Sequence, residues 1–385
     1  MDYGLNEFEL MVKETAAKIA QEKVAPIKAH LDETEEYPYE IMKACAKADL
    51  MGVYIPEQYG GLGGGAFALC IAVEEISKVC GGTAVCYAAN ALGAYPILLY
   101  GTEEQKQKYI PKFASGEYYA AFGLTEPNAG SDAGSIETTA KPDGDYFILN
   151  GTKQWITNAE VANIYTIIAT IDKSKGARGI TAFIVEKGTP GFSFGKKEKK
   201  LGIRTSVTKE LHFQDCKIPK SNLLHKIGRG FRVTMDTLDK SRPGIGAQAV
   251  GIAQGAFDLA MEFARNRVQF GQTISSFQVI QHIFADMATQ IEAARLLVYH
   301  AARAVDSNTE DASKLAAMAK VFASDMAMKV TVDSLQICGG TGYMRDFPME
   351  KYLRDAKITQ IYEGTNQIQR NIIALELIRE YSKKK

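Results

Sequence analysis

Apolar residues change their spacing twice along this 385-residue chain, near Tyr118 and again near Gly228. Before Tyr118 they recur at helical spacing, which predicts amphipathic helices. The middle part carries short runs rich in β-branched and aromatic residues, punctuated by Gly, Pro and Asp, which predict strands. After Gly228 three long amphipathic runs return, at about 231–266, 278–305 and 309–338. The pattern therefore predicts an α+β protein in the order helical, β, helical.

The same spacing predicts three domains: a helical domain over 1–118, a β domain over 119–228 and a helical bundle over 229–385. Thr102 to Gln105 forms a capping-box pattern that opens a helix. Asn150-Gly151 is typical of a hairpin turn. In the second long run one apolar face is predicted, made by Val279, Ile280, Ile283, Phe284, Met287, Ile291 and Ala294.

Composition excludes several classes of function. Lys and Arg number 45, as do Asp and Glu, so no net charge attracts nucleic acid or an anionic membrane. No apolar run is expected to span a membrane, and the N-terminus is not expected to be a secretory signal. The six cysteines form no CxxC pair, which favours reduced thiols and a cytoplasmic protein. The histidines, cysteines and acids lack metal-ligand spacing, so no metal is expected.

The stretch from Gln336 to Gln369 carries the strongest chemical signal. It places one carboxylate, Glu363, in a Tyr-Glu-Gly-Thr turn after a helix-like run. A glycine-rich turn from Cys338 to Gly342 lies upstream, where backbone amides can approach a phosphate-bearing ligand. The combination suggests a base held beside a large anionic cofactor. A lone acid on a turn is more often structural, so this interpretation needs further motifs.

Three further segments each have an ordinary structural interpretation. The segment from Ala121 to Asp132 is rich in turn residues. Trp155, the single tryptophan, is typical of a core anchor. Thr157 follows it by two residues, so both side chains of a regular strand point the same way. The charged run from Asp239 to Arg242 is typical of a solvated helix face.

Taken together, these segments closely resemble the two long signatures of the acyl-CoA dehydrogenases, in the correct order. These are FAD enzymes that desaturate acyl-CoA thioesters. The resemblance covers nearly the whole chain, including the loop from Pro56 to Gly61. The late position of Glu363 in the chain is similar to that of the base in short- and medium-chain members of the butyryl-CoA dehydrogenase type. It implies a β-barrel-like middle domain and a C-terminal four-helix bundle.

The resemblance also implies the residues that hold FAD and substrate. Within one chain, FAD would contact Phe122, Leu124, Thr125, Ser131, Trp155, Thr157, Thr365 and Gln367. From a neighbouring subunit, FAD would be approached by Arg267, Phe270, Phe277, Gln278, Gln336, Gly339 and Gly340. Acyl-CoA would contact Ser131, Asp239, Arg242, Tyr362 and Gly364. Trp155 would lie against one face of the isoalloxazine, and the Thr157 hydroxyl near flavin N5.

Glu363 is the implied catalytic base. It would take the α-proton while the β-hydride passes to flavin N5, which yields a trans-2-enoyl-CoA. Its backbone amide and a flavin ribityl hydroxyl would polarise the thioester carbonyl. Burial beside apolar groups would raise its pKa toward the value that a base needs near neutral pH.

The resemblance further implies a homotetramer and reoxidation by an electron-transferring flavoprotein. The acyl group stays open, because the segment from Ala84 to Tyr95 is typical both of close helix packing and of a pocket wall. Tyr87 and Tyr95 would shorten such a pocket, and the absence of arginine in the segment disfavours a glutaryl-type substrate. Alternatives are an enoyl-CoA reductase running in the reverse direction, an oxidase, and a non-catalytic scaffold. A scaffold is disfavoured by intact site residues, and a nitroalkane-oxidase-like relative by a glutamate where aspartate is expected.

Overall fold

The computed structural model describes residues 3–383, and its first region is helical. The helices there are α1 Glu7–Ile19, α2 Lys28–Thr34, α3 Tyr39–Lys47, α4 Gly65–Val79, α5 Gly81–Tyr100 and α6 Glu103–Ala114. The predicted capping box opens α6: the Thr102 hydroxyl accepts from the Gln105 N–H, and the Gln105 side chain accepts from the Thr102 N–H. The helical prediction for this region is confirmed.

The middle region is one eight-stranded sheet in the order β6-β7-β3-β2-β4-β5-β8, with β1 parallel to β4. Its strands are β1 Ala120–Gly123, β2 Thr139–Asp143, β3 Tyr146–Thr157, β4 Ile164–Thr170, β5 Ile180–Glu186, β6 Phe192–Lys197, β7 Thr208–Pro219 and β8 Leu223–Leu224. The runs predicted as strands from their composition all lie in this sheet.

The predicted hairpin turn at Asn150-Gly151 is wrong. Both residues lie inside β3, where the register with β7 shifts between Leu149 and Gly151. Gly151 has φ +147°, and a Cβ there would lie 2.6 Å from the Thr138 hydroxyl oxygen, so the bulge requires glycine. A bulge and a turn use the same residue types, because both need unusual backbone angles.

The last region is again helical. It contains α7 Gly230–Asn266, the two-strand ribbon β9 Val268–Gln269 and β10 Gln272–Thr273, then α8 Gln278–Asp306, α9 Ala312–Tyr343, α10 Met349–Lys357 and α11 Asn366–Lys383. The glycine-rich turn predicted from Cys338 is instead a kink inside α9, where Gly339 has φ +56°. Val279 is 65% exposed, so the predicted apolar face of α8 is buried only from Phe284 onward. The α+β fold class is confirmed.

Two apolar cores hold these regions together. The larger core contains residues of both helical regions, such as Ile76 and Val250, and of the strands that face them. Helices α4 and α5 pack directly on α7. The approach is so close that a Cβ on Gly255 would lie 2.0 Å from the Lys78 carbonyl oxygen. The second core lies within the sheet. The domain boundaries at 118 and 228 stay a prediction.

Helix α5 corrects one expectation from composition. Its 20 residues are long and apolar enough to cross a membrane, although no such run was expected. Within the fold, 78% of its apolar window is buried against other elements of the chain. The apolar character of α5 is thus matched by packing inside the protein, as for a core helix.

Candidate active site

Glu363 lies in a strained turn between α10 and α11. Glu363 has φ +52° and Gly364 has φ +90°, so two consecutive residues adopt left-handed backbone angles. Such angles cost a non-glycine residue on the order of 1 kcal/mol and concentrate at functional sites. The Glu363 N–H meets no hydrogen-bond acceptor among residues 3–383. The turn therefore presents a carboxyl group and an unpaired backbone donor from the same residue.

The Glu363 carboxyl group is desolvated and has one close hydrogen-bond donor, Ser241. Burial raises the pKa of Glu363, and this effect is opposed by a hydrogen bond from Ser241 and by the charges of Arg242 and Lys320. The Ser241 hydroxyl oxygen lies 2.5 Å from the carboxylate oxygen Oε2. A carboxylate with a raised pKa is a stronger base than one in water, which suits proton abstraction.

Four of the predicted substrate residues lie at this turn. The Arg242 Nε lies 3.5 Å from the Glu363 carbonyl oxygen, and the Arg242 guanidinium pairs with Asp239. Arg242 is almost fully buried, so this stretch is not the solvated face that charge alone suggests. The Tyr362 hydroxyl donates to the side-chain oxygen of Gln248, and Gly364 follows the base directly.

Sequence reasoning missed three side chains at this turn: Ser241, Lys320 and Gln369. Gln369 Nε2 donates to the carbonyl oxygens of Glu363 and Gly364, at 3.0 and 3.1 Å. Lys320 Nζ donates to the Gly364 carbonyl at 2.9 Å. A single lysine inside the apolar run from Leu315 to Ala323 was a signal for a buried, partnered charge.

A second group forms where β1 ends beside β3. The Gln154 N–H donates to the Thr125 carbonyl at 2.8 Å, and Lys153 Nζ donates to the Leu124 carbonyl at 3.0 Å. Trp155 follows in a second bulge of β3, with φ +59° and a 59% exposed side chain. The core-anchor interpretation of Trp155 is therefore wrong. The bulge also breaks the regular alternation from which a shared direction with Thr157 was inferred.

A fully buried ion pair supports this second group from behind. Lys153 Nζ lies 2.6 Å from Glu126 Oε1, and both side chains are almost completely shielded from solvent. The Glu126 carboxylate also accepts the backbone N–H groups of Glu137 and Thr138. Burial lowers the pKa of Lys153 to about 8, against the opposing effect of Glu126. The pair joins β1, β3 and the loop before β2.

The remaining predicted residues lie in four segments of the chain. Phe122 is buried at the end of β1, whereas Ser131 is exposed in the loop that follows. At the start of α11 the Thr365 hydroxyl accepts the Ile368 N–H, and Gln367 is exposed. The residues expected to reach a neighbouring subunit lie around the β9–β10 ribbon and the kink of α9: Arg267, Phe270, Phe277, Gln278, Gln336, Gly339 and Gly340. Within 3–383, no hydrogen bond links them to Glu363 or Trp155.

We expect Ser241 to set the acid limit of proton abstraction. Glu363 acts as a base only when ionised, so the rate falls as pH falls through its raised pKa. Ser241→Ala removes the donor that lowers this pKa, so the acid limb of the rate profile should move to higher pH, with a loss of about tenfold on that limb and recovery at high pH. The measurement is the pH dependence of flavin bleaching. Thr234→Ala, which removes another buried hydroxyl of α7, should leave the profile unchanged; an equal shift in both variants would contradict a specific role.

Comparisons with known proteins cover nearly the whole chain. The family models of the acyl-CoA dehydrogenase N-terminal, middle and C-terminal domains match residues 6–117, 121–216 and 228–378. Butyryl-CoA dehydrogenase from Megasphaera elsdenii is 45% identical, with a TM-score of 0.96 over 98% of this chain and 100% of that chain.

Two other proteins are similarly close. A chain from the structural study "Electron transferring flavoprotein of Acidaminococcus fermentans: Towards a mechanism of flavin-based electron bifurcation" is 50% identical, with a TM-score of 0.96 over 98% of this chain and 100% of that chain. An acryloyl-CoA reductase (NADH) from Anaerotignum propionicum is 45% identical over 98% of this chain and 96% of its own length. Because these proteins are at least 45% identical over 98% of this chain, the chain belongs to the acyl-CoA dehydrogenase family.

Proposed function

We propose that this protein catalyses the FAD-dependent α,β-dehydrogenation of a short- or medium-chain acyl-CoA to the 2-enoyl-CoA. The observation that carries the proposal is the Glu363 turn, which offers a carboxylate of raised pKa beside its own unpaired N–H. Desaturation needs both groups, because the α-proton becomes acidic only when the thioester carbonyl is polarised. The Glu363 N–H holds that carbonyl oxygen while the carboxylate removes the proton.

The residues present fit FAD. Trp155 offers an exposed aromatic face, although a lone tryptophan in a strand is normally covered. At the N-terminus of α11 the N–H groups of Asn366 and Gln367 have no acceptor among residues 3–383, which suits an anionic group. FAD would be held by Leu124 and Thr125 directly after β1, by Trp155 and Thr157 of β3, and by the start of α11. When bound, it supplies the acceptor for the hydride that leaves the β-carbon.

Asp239 and Arg242 guide the CoA moiety in this proposal. Both residues belong to α7, and Arg242 lies beside the Glu363 carbonyl. The pantetheine amides of CoA can therefore exchange hydrogen bonds with this ion pair as the thioester reaches Glu363. Ser131, exposed in the loop after β1, also contacts the CoA moiety in this proposal. Tyr362 contributes its ring, since its hydroxyl is already bonded to Gln248.

The acyl chain has room beside the base. Gly244 is buried and lies one helical turn after Ser241. A Cβ atom added to Gly244 would meet no other atom within 4 Å, so there is open space beside it. Tyr87 and Tyr95 pack in the interior, Tyr87 donating to the Leu50 carbonyl and Tyr95 stacking edge-on against Tyr54. In this proposal the acyl chain is short or medium, straight, branched or alicyclic, and the two fixed tyrosines would shorten a pocket that reached them.

An enoyl-CoA reductase that works in the reverse direction is the second candidate. The observation that favours it is the 45% identity to an acryloyl-CoA reductase. Both directions use the same base and cofactor, and they differ in the electron donor or acceptor. In either case we propose an electron-transferring flavoprotein as partner, for which the Acidaminococcus fermentans study gives support.

We also propose a cytoplasmic homotetramer. Exposed apolar side chains recur on the outer surfaces of the C-terminal helices, including Leu296 on α8, Phe322 and Val332 on α9, and Leu375 and Ile378 on α11. Such surfaces are typical of interfaces between subunits. Sedimentation of the flavin-loaded protein tests the assembly, and a monomeric mass would contradict it.

Anaerobic flavin bleaching against a panel of thioesters tests the reaction. The panel contains butyryl-, hexanoyl-, octanoyl-, isobutyryl-, glutaryl- and cyclohexanecarboxyl-CoA. We expect fast bleaching by one or two members and none by glutaryl-CoA, because α5 offers no arginine for a second carboxylate. A yellow protein that no member bleaches would contradict the oxidative direction, and oxidation of the reduced enzyme by enoyl-CoAs would then test the reductase.

A further inference from the structure

Lys320 is a lysine of α9 whose side chain is fully shielded from solvent. Its ammonium donates to the Gly364 carbonyl oxygen at 2.9 Å and to the Asn366 side-chain oxygen at 2.8 Å. Neither acceptor is a carboxylate, although desolvating an ammonium costs several kcal/mol and is normally offset by a directly paired acid. A charge buried in this way points to a role beyond packing.

Both carbonyl groups of the strained turn are held by donors from other elements. The Glu363 carbonyl accepts from Gln369 and lies 3.5 Å from Arg242, and the Gly364 carbonyl accepts from Gln369 and Lys320. Asn366 extends the connection, because its amide donates to Ser324, one turn after Lys320 on α9. These bonds fix the two peptide planes that follow Glu363, and with them the backbone from which its carboxyl group projects.

Four charged groups face Lys320 from the elements around it: Glu363 in the turn, Arg242 on α7, Asp325 on α9 and Arg370 on α11. Burial lowers the pKa of Lys320 to about 7, while Glu363 raises it and Arg242 lowers it. In return, the Lys320 charge lowers the pKa of Glu363 against the effect of burial. The two groups are therefore coupled through space as well as through the turn.

We propose that Lys320 is a positioning residue for the base, which orients the Glu363–Gly364 turn through the Gly364 carbonyl and holds the Glu363 carboxyl group in its ionised form. The inference rests on the proposed function, in which Glu363 removes the α-proton. A purely structural lysine would join α9 to α11 without influence on the ionisation of Glu363. The two roles differ in the pH profile of the reaction.

The test compares Lys320→Met with the parent enzyme in anaerobic single-turnover bleaching from pH 5.5 to 9, with the best substrate of the panel. We expect the maximal rate to fall about 10- to 100-fold, because the turn is no longer held in its reactive geometry. On the acid limb of the profile a further loss of about tenfold should appear, because an uncompensated Glu363 is protonated more readily. Binding of the enoyl-CoA product, followed by the flavin spectrum, should change less than threefold, about 0.6 kcal/mol.

Two variants give the comparison its controls. Lys314→Met removes another ion pair between α9 and α11, with Glu380, and should keep the parent pH profile. Lys320→Arg keeps the charge and should keep the acid limb of the profile even if its maximal rate falls. If Lys320→Met does not retain flavin, Lys320→Gln, which keeps a donor and removes the charge, takes its place.

An acid limb that is the same in the neutral variants and the parent enzyme would overturn the inference. So would an equal displacement in Lys314→Met. Failure of the proposed function has a different signature, because Glu363→Gln would then still bleach. An inactive Glu363→Gln together with an unshifted Lys320→Met profile would remove the role of Lys320 alone.

Discussion

Glu363→Gln should retain bound flavin and lose its bleaching by a good acyl-CoA substrate by about 10²–10⁴-fold, the usual contribution of a general base. Glutamine preserves the side-chain length and still accepts the Ser241 hydrogen bond, but it cannot take a proton. The backbone N–H stays in place, so ligand binding should change little. Stopped-flow absorbance of the flavin, with the wild-type protein beside the variant, gives the rate ratio directly.

Protein stability separates lost chemistry from lost folding in this variant. Because burial raises the pKa of Glu363 above its unfolded value, the ionised carboxyl group lowers stability at neutral pH, and the folded state favours its protonated form. A neutral glutamine removes that cost, so the melting temperature of the variant should equal or exceed that of the parent. Bleaching by Glu363→Gln at the parent rate would refute Glu363 as the base.

Lys153→Met should destabilise the protein by about 3–5 kcal/mol, the cost of leaving one partner of a buried ion pair without its counter-charge. Glu126 would then be a carboxylate that is shielded from water and held only by two backbone N–H groups. The Leu124 carbonyl would lose its donor as well. Since this carbonyl borders the proposed flavin site, loosened FAD binding should accompany the loss of stability. Urea denaturation and flavin release measure the two effects.

The double variant Lys153→Met with Glu126→Gln provides the matched comparison. It removes both charges, and the glutamine oxygen can still accept a backbone N–H, so much of the lost stability should return. Lys43→Met breaks an exposed pair with Glu40 and should leave stability almost unchanged, because water screens such a pair. A Lys153→Met variant as stable as Lys43→Met would contradict the structural importance of the buried pair.

Elements with a strong local pattern were predictable from the sequence. The long helices α7, α8 and α9 follow from their spacing, and the capping box of α6 is a signal within four residues. The two bulges of β3 were not predictable, because they arise from its pairing with β7, some 60 residues later. The sequence therefore predicted a turn at Asn150-Gly151 and a core position for Trp155, and both predictions were wrong.

The site was predictable only in part, because several of its contacts join residues that are far apart in the chain. Glu363 and Arg242 follow from their motifs. Ser241 stands next to Arg242, yet its bond to the base joins residues 122 positions apart. Lys320 meets the turn 44 positions later in the chain. Contacts of this kind depend on how α7, α9 and the turn pack together, which spacing within any one segment does not encode.

The core shared by the two helical regions affects how the chain folds during synthesis. Helices α4 and α5 leave the ribosome before their partner α7 exists, because the whole sheet is translated in between. At typical elongation rates this interval lasts on the order of ten seconds, far longer than helix formation. Throughout it the surfaces of α4 and α5 that pack on α7 are uncovered. The nascent protein therefore passes through an obligatory aggregation-prone stage, which makes it a natural client for chaperones that bind at the ribosome exit.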